Sequence, residues 1–155
     1  MYLPYLLFYL GDASFGLPAS VVAEVIADAE LVRVPGTDAS VAGVTFVRGR
    51  VFAVIDGAKL LGLPSQPYGP QSRVMLLSHG GVEAGLLVSR TSDLVPLESD
   101  QLDPLPETLG GVAGTGARRV ALGVVSRLVD EAFAGTTLLD ATRVMSLAKE
   151  RACAV

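Results

Sequence analysis

The sequence predicts a mostly β protein with short helical additions, and three observations carry that expectation. Runs rich in β-branched and aromatic residues, such as VAGVTFV at 41–47 and VFAVI at 51–55, are short and recur along the chain. Glycine and proline punctuate them at close intervals. Only the last stretch combines length with apolar residues at helical spacing.

Taken in order, Tyr5 to Leu10 reads as a first strand, Gly11 to Ser14 as a turn, and Phe15 to Leu17 as the start of the return strand. From Pro18 the spacing predicts one or two helical turns near Ala19 to Ile26, because Val21, Val22, Val25 and Ile26 share a helical face and proline suits a first turn. Leu31 to Val34 resumes extended structure, which Pro35 confines to an edge or loop. A hairpin follows, turning at Arg48, Gly49 and Arg50, and its sparse alternation implies that both faces are partly covered, as in a small barrel or sandwich. Gly57 to Leu61 is a short helical turn, and the proline-rich and glycine-rich stretch from Pro64 to Ser72 is a linker.

The second half opens with another hairpin, Arg73 to Ser78 and Val82 to Val88 around His79, Gly80 and Gly81. Further strands are expected at Thr91 to Leu97, Val120 to Val129 and Thr136 to Leu139. A glycine-rich loop at Leu109 to Arg119 and an acidic turn at Asp130 and Glu131 separate them. Asp140 has the character of an N-cap. After it, Ala141 to Ala152 forms an amphipathic helix with Val144, Met145, Leu147 and Ala148 among charged residues.

Composition bounds the function. At 155 residues, 50% hydrophobic and only 18% charged, the chain is long enough to bury a core without staples and too apolar to be disordered. The positive mean hydropathy points to apolar surface beyond that core. A net charge of −4 with no basic stripe argues against nucleic acid, Arg118 and Arg119 being an isolated pair. The single cysteine, Cys153, allows neither an internal disulfide nor a cysteine metal pair, which makes the cytoplasm the expected compartment. The apolar opening is too short to span a bilayer, so no direct membrane insertion is expected.

Catalytic constellations are missing from the pattern. The only histidine, His79, sits in a hairpin turn without a second histidine or a nearby cysteine, so it supports neither a zinc site nor a nucleophilic pair. Gly110 to Arg119 fits no phosphate-binding fingerprint. Asp93, Glu98, Asp100, Asp103 and Glu107 lack calcium-loop spacing and read as a solvated acidic rim. No enzyme, cofactor or metal is therefore expected. Arg48 is different in kind: a guanidinium at a hairpin end can form a planar two-bond pair with Glu24, offered by the short helix expected before it.

One ordered set of residues is similar to a known family. Gly11-Asp12 with Phe15-Gly16, then Val22 with Glu24-Val25-Ile26, then Val34-Pro35, then Val41, Gly43-Val44, Arg48-Gly49, Val51 and Val54-Ile55-Asp56 run without a gap against the CheW pattern. CheW proteins are the adaptors of bacterial chemotaxis. The resemblance implies two packed five-stranded SH3-like barrels, a single domain at 3–148 made of subdomains at about 5–63 and about 72–140, and a C-terminal helix and tail at 141–155. The chain also departs from that pattern. Phe46 and Val47 stand where the family often has asparagine and leucine, Ala53 where it often has proline, and Ser89, Arg90 and Thr91 depart in the second half.

On that resemblance the chain is expected to be a non-catalytic scaffold for signal transduction by protein–protein interaction. It would couple chemoreceptors to a chemotaxis-type histidine kinase, in the cytoplasm at membrane-associated receptor arrays. The kinase's regulatory domain, which shares the fold, would meet the first barrel, and the receptor's helical tip would lie in a groove between the barrels. Glu24 and Arg48 fall on the partner-facing surface, with Val22 beside them, and Val22, Val44 and Leu87 are of the type that would line the groove. A second reading is a sensor whose pocket between the barrels holds a small apolar ligand.

Overall fold

β-Branched runs become strands wherever a partner is available, and the computed structural model, which describes residues 3–64, 67–97, 102–103, 121–125 and 135–153, places them in two sheets. In chain order the elements are β1 (Leu3–Leu10), β2 (Ala13–Pro18), a 3-10 turn (Ala19–Val21), β3 (Val22–Ala27), β4 (Val41–Val47), β5 (Arg50–Asp56) and α1 (Gly57–Leu60). They continue with β6 (Arg73–His79), β7 (Val82–Val88), β8 (Arg90–Leu97), β9 (Leu102–Asp103), β10 (Ala121–Val125), β11 (Thr137–Leu139) and α2 (Ala141–Cys153). One sheet runs β8-β1-β2-β11-β10-β9 and the other β3-β6-β7-β5-β4. This is the mostly β, two-layer architecture with a C-terminal helix that the residues and the family resemblance predict, with sheets that curl without closing into barrels. The glycine-rich loop and the acidic turn expected at 109–119 and 130–131 lie outside the described residues.

The main core fills the space between the sheets. Phe8 and Phe15, opposite each other on β1 and β2, stack at 5.9 Å between ring centres and meet Met75, Leu77, Leu86 and Val88 from the facing sheet. α2 seals one side with Val144, Met145, Leu147 and Ala148. A smaller cluster of Val54, Val74, Leu76 and Leu87 lies on the other face of the five-stranded sheet, with Ile26, Val47, Phe52 and Tyr68 packed around it.

The segment expected to be helical near Ala19 to Ile26 is a single 3-10 turn followed by strand β3, and the reason is tertiary. Its β-branched residues lose side-chain freedom in a helix, and β6 offers a full antiparallel partner from Val22↔Leu77 to Ala27↔Arg73. A bulge between Val22 and Glu24 turns these two side chains to opposite faces, Val22 with Leu77 on the core side and Glu24 with Leu76 on the other.

β3 and β4 are the two edges of the five-stranded sheet, and they are tied rather than paired. The chain leaving β3 crosses back to β4 through one bridge, Val32 with Val44, whose two backbone hydrogen bonds are both 2.8 Å. Gly43 makes this approach possible, since a Cβ there would stand 2.5 Å from the Val32 carbonyl oxygen. Gly43→Ala should push the crossing segment away and cost about 1–3 kcal/mol through two weakened hydrogen bonds and backbone strain. Urea unfolding measures it, and a midpoint equal to the parent's would mean that the bridge contributes nothing. Among the described residues no helix is long and apolar enough to cross a membrane.

Candidate functional site

The β4–β5 hairpin reverses in two residues, Arg48 and Gly49, with φ of 48° and 76°. Positive φ at both centres is the pattern of the tight turn that matches strand twist, a position usually given to asparagine, aspartate or glycine. Arginine there holds its side chain off the end of the hairpin. From it the Arg48 Nη2 donates to Glu24 Oε2 at 2.5 Å and Nη1 to Oε1 at 3.4 Å, joining one edge strand of the sheet to the other. The Glu24 hydrogen bond, then its charge, holds the guanidinium's pKa above its already high ordinary value.

A second pair sits next to the first. Arg50 donates to Glu83 on β7 and lies over the Phe52 ring at 5.1 Å. In both pairs the arginine is the more exposed partner, with side-chain exposures of 74% against 35% for Arg48 and Glu24 and 63% against 36% for Arg50 and Glu83. The hairpin end therefore presents guanidinium groups to solvent while their carboxylates lie behind.

The residues singled out in the sequence are distributed as follows. Glu24 and Arg48 are in direct contact. Val22 is half-buried against the inter-sheet core, and Val44 is half-buried at the Val32 bridge. Leu87 is buried in the cluster with Val54, Val74 and Leu76, on the face opposite Val22, and also lines a depression of about 400 Å³ with Ile26, Leu31, Tyr68 and Arg73. A second depression of about 460 Å³ lies among Arg33, Val34, Thr37, Asp38, Val41 and Lys59. His79 shares a hydrogen bond of 3.0 Å with the Thr142 hydroxyl. Among the described residues no group of three or more histidine, cysteine, aspartate or glutamate side chains could hold a metal ion.

Among the polar contacts that escaped the sequence reading are Arg50 with Glu83 and those of buried Asp56, which accepts from the Lys59 backbone at 3.2 Å as the cap of α1 and from the Tyr68 hydroxyl at 2.5 Å. Burial first, and then the bond and charge of Asp56, push the Tyr68 phenol well above its ordinary range. A phenol kept neutral by the fold contributes stability that is complete below the unfolded value of about 10 and is lost as pH rises through the folded value. Tyr5 is shifted the same way, by burial and then Asp140. Tyr68→Phe should therefore cost roughly 1 kcal/mol at neutral pH. It should also make the alkaline loss of stability shallower without abolishing it. Urea midpoints at neutral and strongly alkaline pH decide this, and an unaltered slope would remove Tyr68 from the account.

Comparison with known proteins bears on what this arrangement does. The family described as CheW-like domain matches residues 4–145. The chain is 31% identical to the protein FrzA of Myxococcus xanthus over 149 residues, covering 95% of this chain and 88% of that one. It is 34% identical to the protein PilI of Pseudomonas aeruginosa over 106 residues and 29% identical to a chemotaxis protein CheW of Helicobacter pylori over 102. Each of those matches covers 66% of this chain, and they span 60% and 62% of the respective relatives. Among solved structures, the scaffolding protein TtCheW from Thermoanaerobacter tengcongensis superposes with a TM-score of 0.77 at 23% identity, covering 90% of both chains, a likeness of fold.

Proposed function

The chain belongs to the family of CheW-like domains, and from that premise we propose that it is a non-catalytic adaptor coupling chemoreceptors to a chemotaxis-type histidine kinase. The observation that carries the proposal is the Arg48–Glu24 pair, at positions where this chain and the family pattern agree. An ion pair this exposed contributes little to folding. A left-handed backbone at a residue with a side chain is unfavourable, and glycine or asparagine at position 48 would serve the turn better. Folding alone therefore gives no reason to keep the arginine, whereas a planar donor fork held out on a rigid turn suits the carboxylates of a partner.

The printed descriptions of the relatives, chemotaxis protein and scaffolding protein, support the same reading. Under it the partners are the kinase's regulatory domain and the receptor's cytoplasmic tip, met at the cytoplasmic side of receptor arrays. Val22, Glu24, Val44, Arg48 and Leu87 are its partner-binding residues, with buried Leu87 acting through the shape of the cluster that supports the surface.

Reconstitution tests the proposal. Purified kinase, a receptor fragment containing the tip, and this chain are mixed, and kinase autophosphorylation is followed. Receptor control of the kinase is expected only when the chain is present. Control that is equal without it would sink the adaptor reading.

A further inference from the structure

The depression of about 460 Å³ beside α1, lined by the segment between β3 and β4, has the size of a small-ligand pocket. Its wall carries a run of unused donors. Thr37 closes the Pro35–Gly36 turn with its hydroxyl, which donates to the Val34 carbonyl at 2.9 Å, so that its own N–H is left over. The Ser40 N–H goes to Asp38 Oδ1 at 2.9 Å, and the Val41 N–H goes to the Asp38 carbonyl, also at 2.9 Å. The four consecutive N–H groups of Gly36, Thr37, Asp38 and Ala39 have no acceptor among the described residues, and all four residues line the depression.

The charges around it are positive and uncommitted. Arg33 and Lys59 both line the depression, and among the described residues neither side chain has a hydrogen bond or an ion pair, unlike Arg48 and Arg50. The acids nearby are engaged elsewhere. Asp38 accepts both the N–H and the hydroxyl of Ser40 on Oδ1, and its Oδ2 faces Arg151 at 3.8 Å. Asp56, which caps α1, is taken by the Lys59 backbone and the Tyr68 hydroxyl. The lining is therefore net positive on a chain whose net charge is −4.

We propose that this depression binds the phosphate group of a small molecule, held by the backbone N–H groups of residues 36–39 and by the side chains of Arg33 and Lys59. Successive N–H groups in a turn form anion-binding concavities, and charge-assisted bonds from cations beside them strengthen the hold. A phosphate, with three acceptor oxygens and a charge of about −1.5 to −2, satisfies more of these donors than a carboxylate can. Val34, Pro35 and Val41 supply an apolar wall for the remainder of such a molecule. The proposal goes beyond the adaptor reading and is independent of it.

Amide-resolved NMR titration of the full chain tests it, at low ionic strength because salt screens exposed cations. The probes are inorganic phosphate, phenyl phosphate and benzoate. Both phosphates should shift the amide signals of Gly36, Thr37, Asp38 and Ala39 and reach saturation, and benzoate should bind more weakly. Tighter binding of phenyl phosphate than of inorganic phosphate identifies an ester as the ligand, equal affinity identifies the free ion, and either supports the site. Lys59→Gln and Arg33→Gln should each weaken phosphate binding by about tenfold. Ala39→Pro removes one donor without changing charge, at the second position of the Asp38–Val41 turn, where proline is favoured, and should weaken binding severalfold. The proposal is overturned if millimolar phosphate leaves these amides unmoved, if chloride at equal ionic strength moves them as far, or if benzoate binds as tightly as phenyl phosphate. Parent affinity in both Lys59→Gln and Arg33→Gln overturns it as well.

Discussion

A chain ended at Asp140 is expected to melt about 10 °C or more below the full chain, the largest loss that any single alteration described here should produce. α2 buries Val144, Met145, Leu147 and Ala148 against β5, β6 and β7. Each of the three larger side chains contributes about 1.5–3 kcal/mol by leaving water. Ordering thirteen residues offsets part of that gain, but removal also uncovers the core side of Met75, Leu77 and Leu86, for a net loss on the order of 4 kcal/mol. Polar ties hold the helix at both ends: Asp140 accepts from the Arg143 backbone at 3.0 Å, and Arg151 lies 3.8 Å from Asp38. Scanning calorimetry measures the shift. A midpoint matching the full chain's would mean that the helix rests on the core without stabilising it.

Arg48→Glu should leave a folded protein with roughly thirtyfold or greater loss of affinity for the kinase domain or the receptor tip, the scale of an interface hot spot. The change places a carboxylate opposite Glu24 and reverses the charge offered to the partner, while the left-handed backbone at position 48 is equally unfavourable for either residue. Arg90→Glu is the comparison. Its guanidinium lies over the Tyr9 ring at 3.7 Å on β8, and it stands where the chain departs from the family pattern, so it should affect binding less. Equal binding by the parent and Arg48→Glu would remove position 48 from the partner surface. Unfolding of Arg48→Glu would instead make the ion pair between the sheet edges a structural brace.

What could be read from residues alone followed the range of the interactions concerned. The β4–β5 hairpin and α2 were legible because their signals are local: β-branched runs meeting at Gly49, and Val144, Met145, Leu147 and Ala148 at helical spacing. The Glu24–Arg48 pair was legible because a family pattern set both residues in one surface. β3 misled because Val21, Val22, Val25 and Ile26 satisfy a helical stripe equally well, and only the distant β6 decides between the two. Arg50 with Glu83 depends on the parallel pairing of β5 and β7, which no local pattern encodes. Phe46 illustrates the same limit for exposure. Its strand has the composition of a buried one, and only the extent of the covering layer leaves it in water.

The strand order of the six-stranded sheet also governs the sequence of events while the chain is being made. β1 lies between β2 and β8, and β2 pairs on its other side with β11. A ribosome that has released Val88 has supplied every strand of the five-stranded sheet, but the first hairpin gains β8 beside β1 only when Leu97 has emerged, and β11 beside β2 only at Leu139. The ribbon of β1 and β2 has two open edges up to Leu97 and one, along β2, from there to Leu139, and an open edge is prone to pair with another chain. The second strand of the nascent chain is thus among the last to complete its pairing. The interval of synthesis between Val88 and Leu139 is therefore the one in which this chain carries an unpaired sheet edge after its five-stranded sheet is complete.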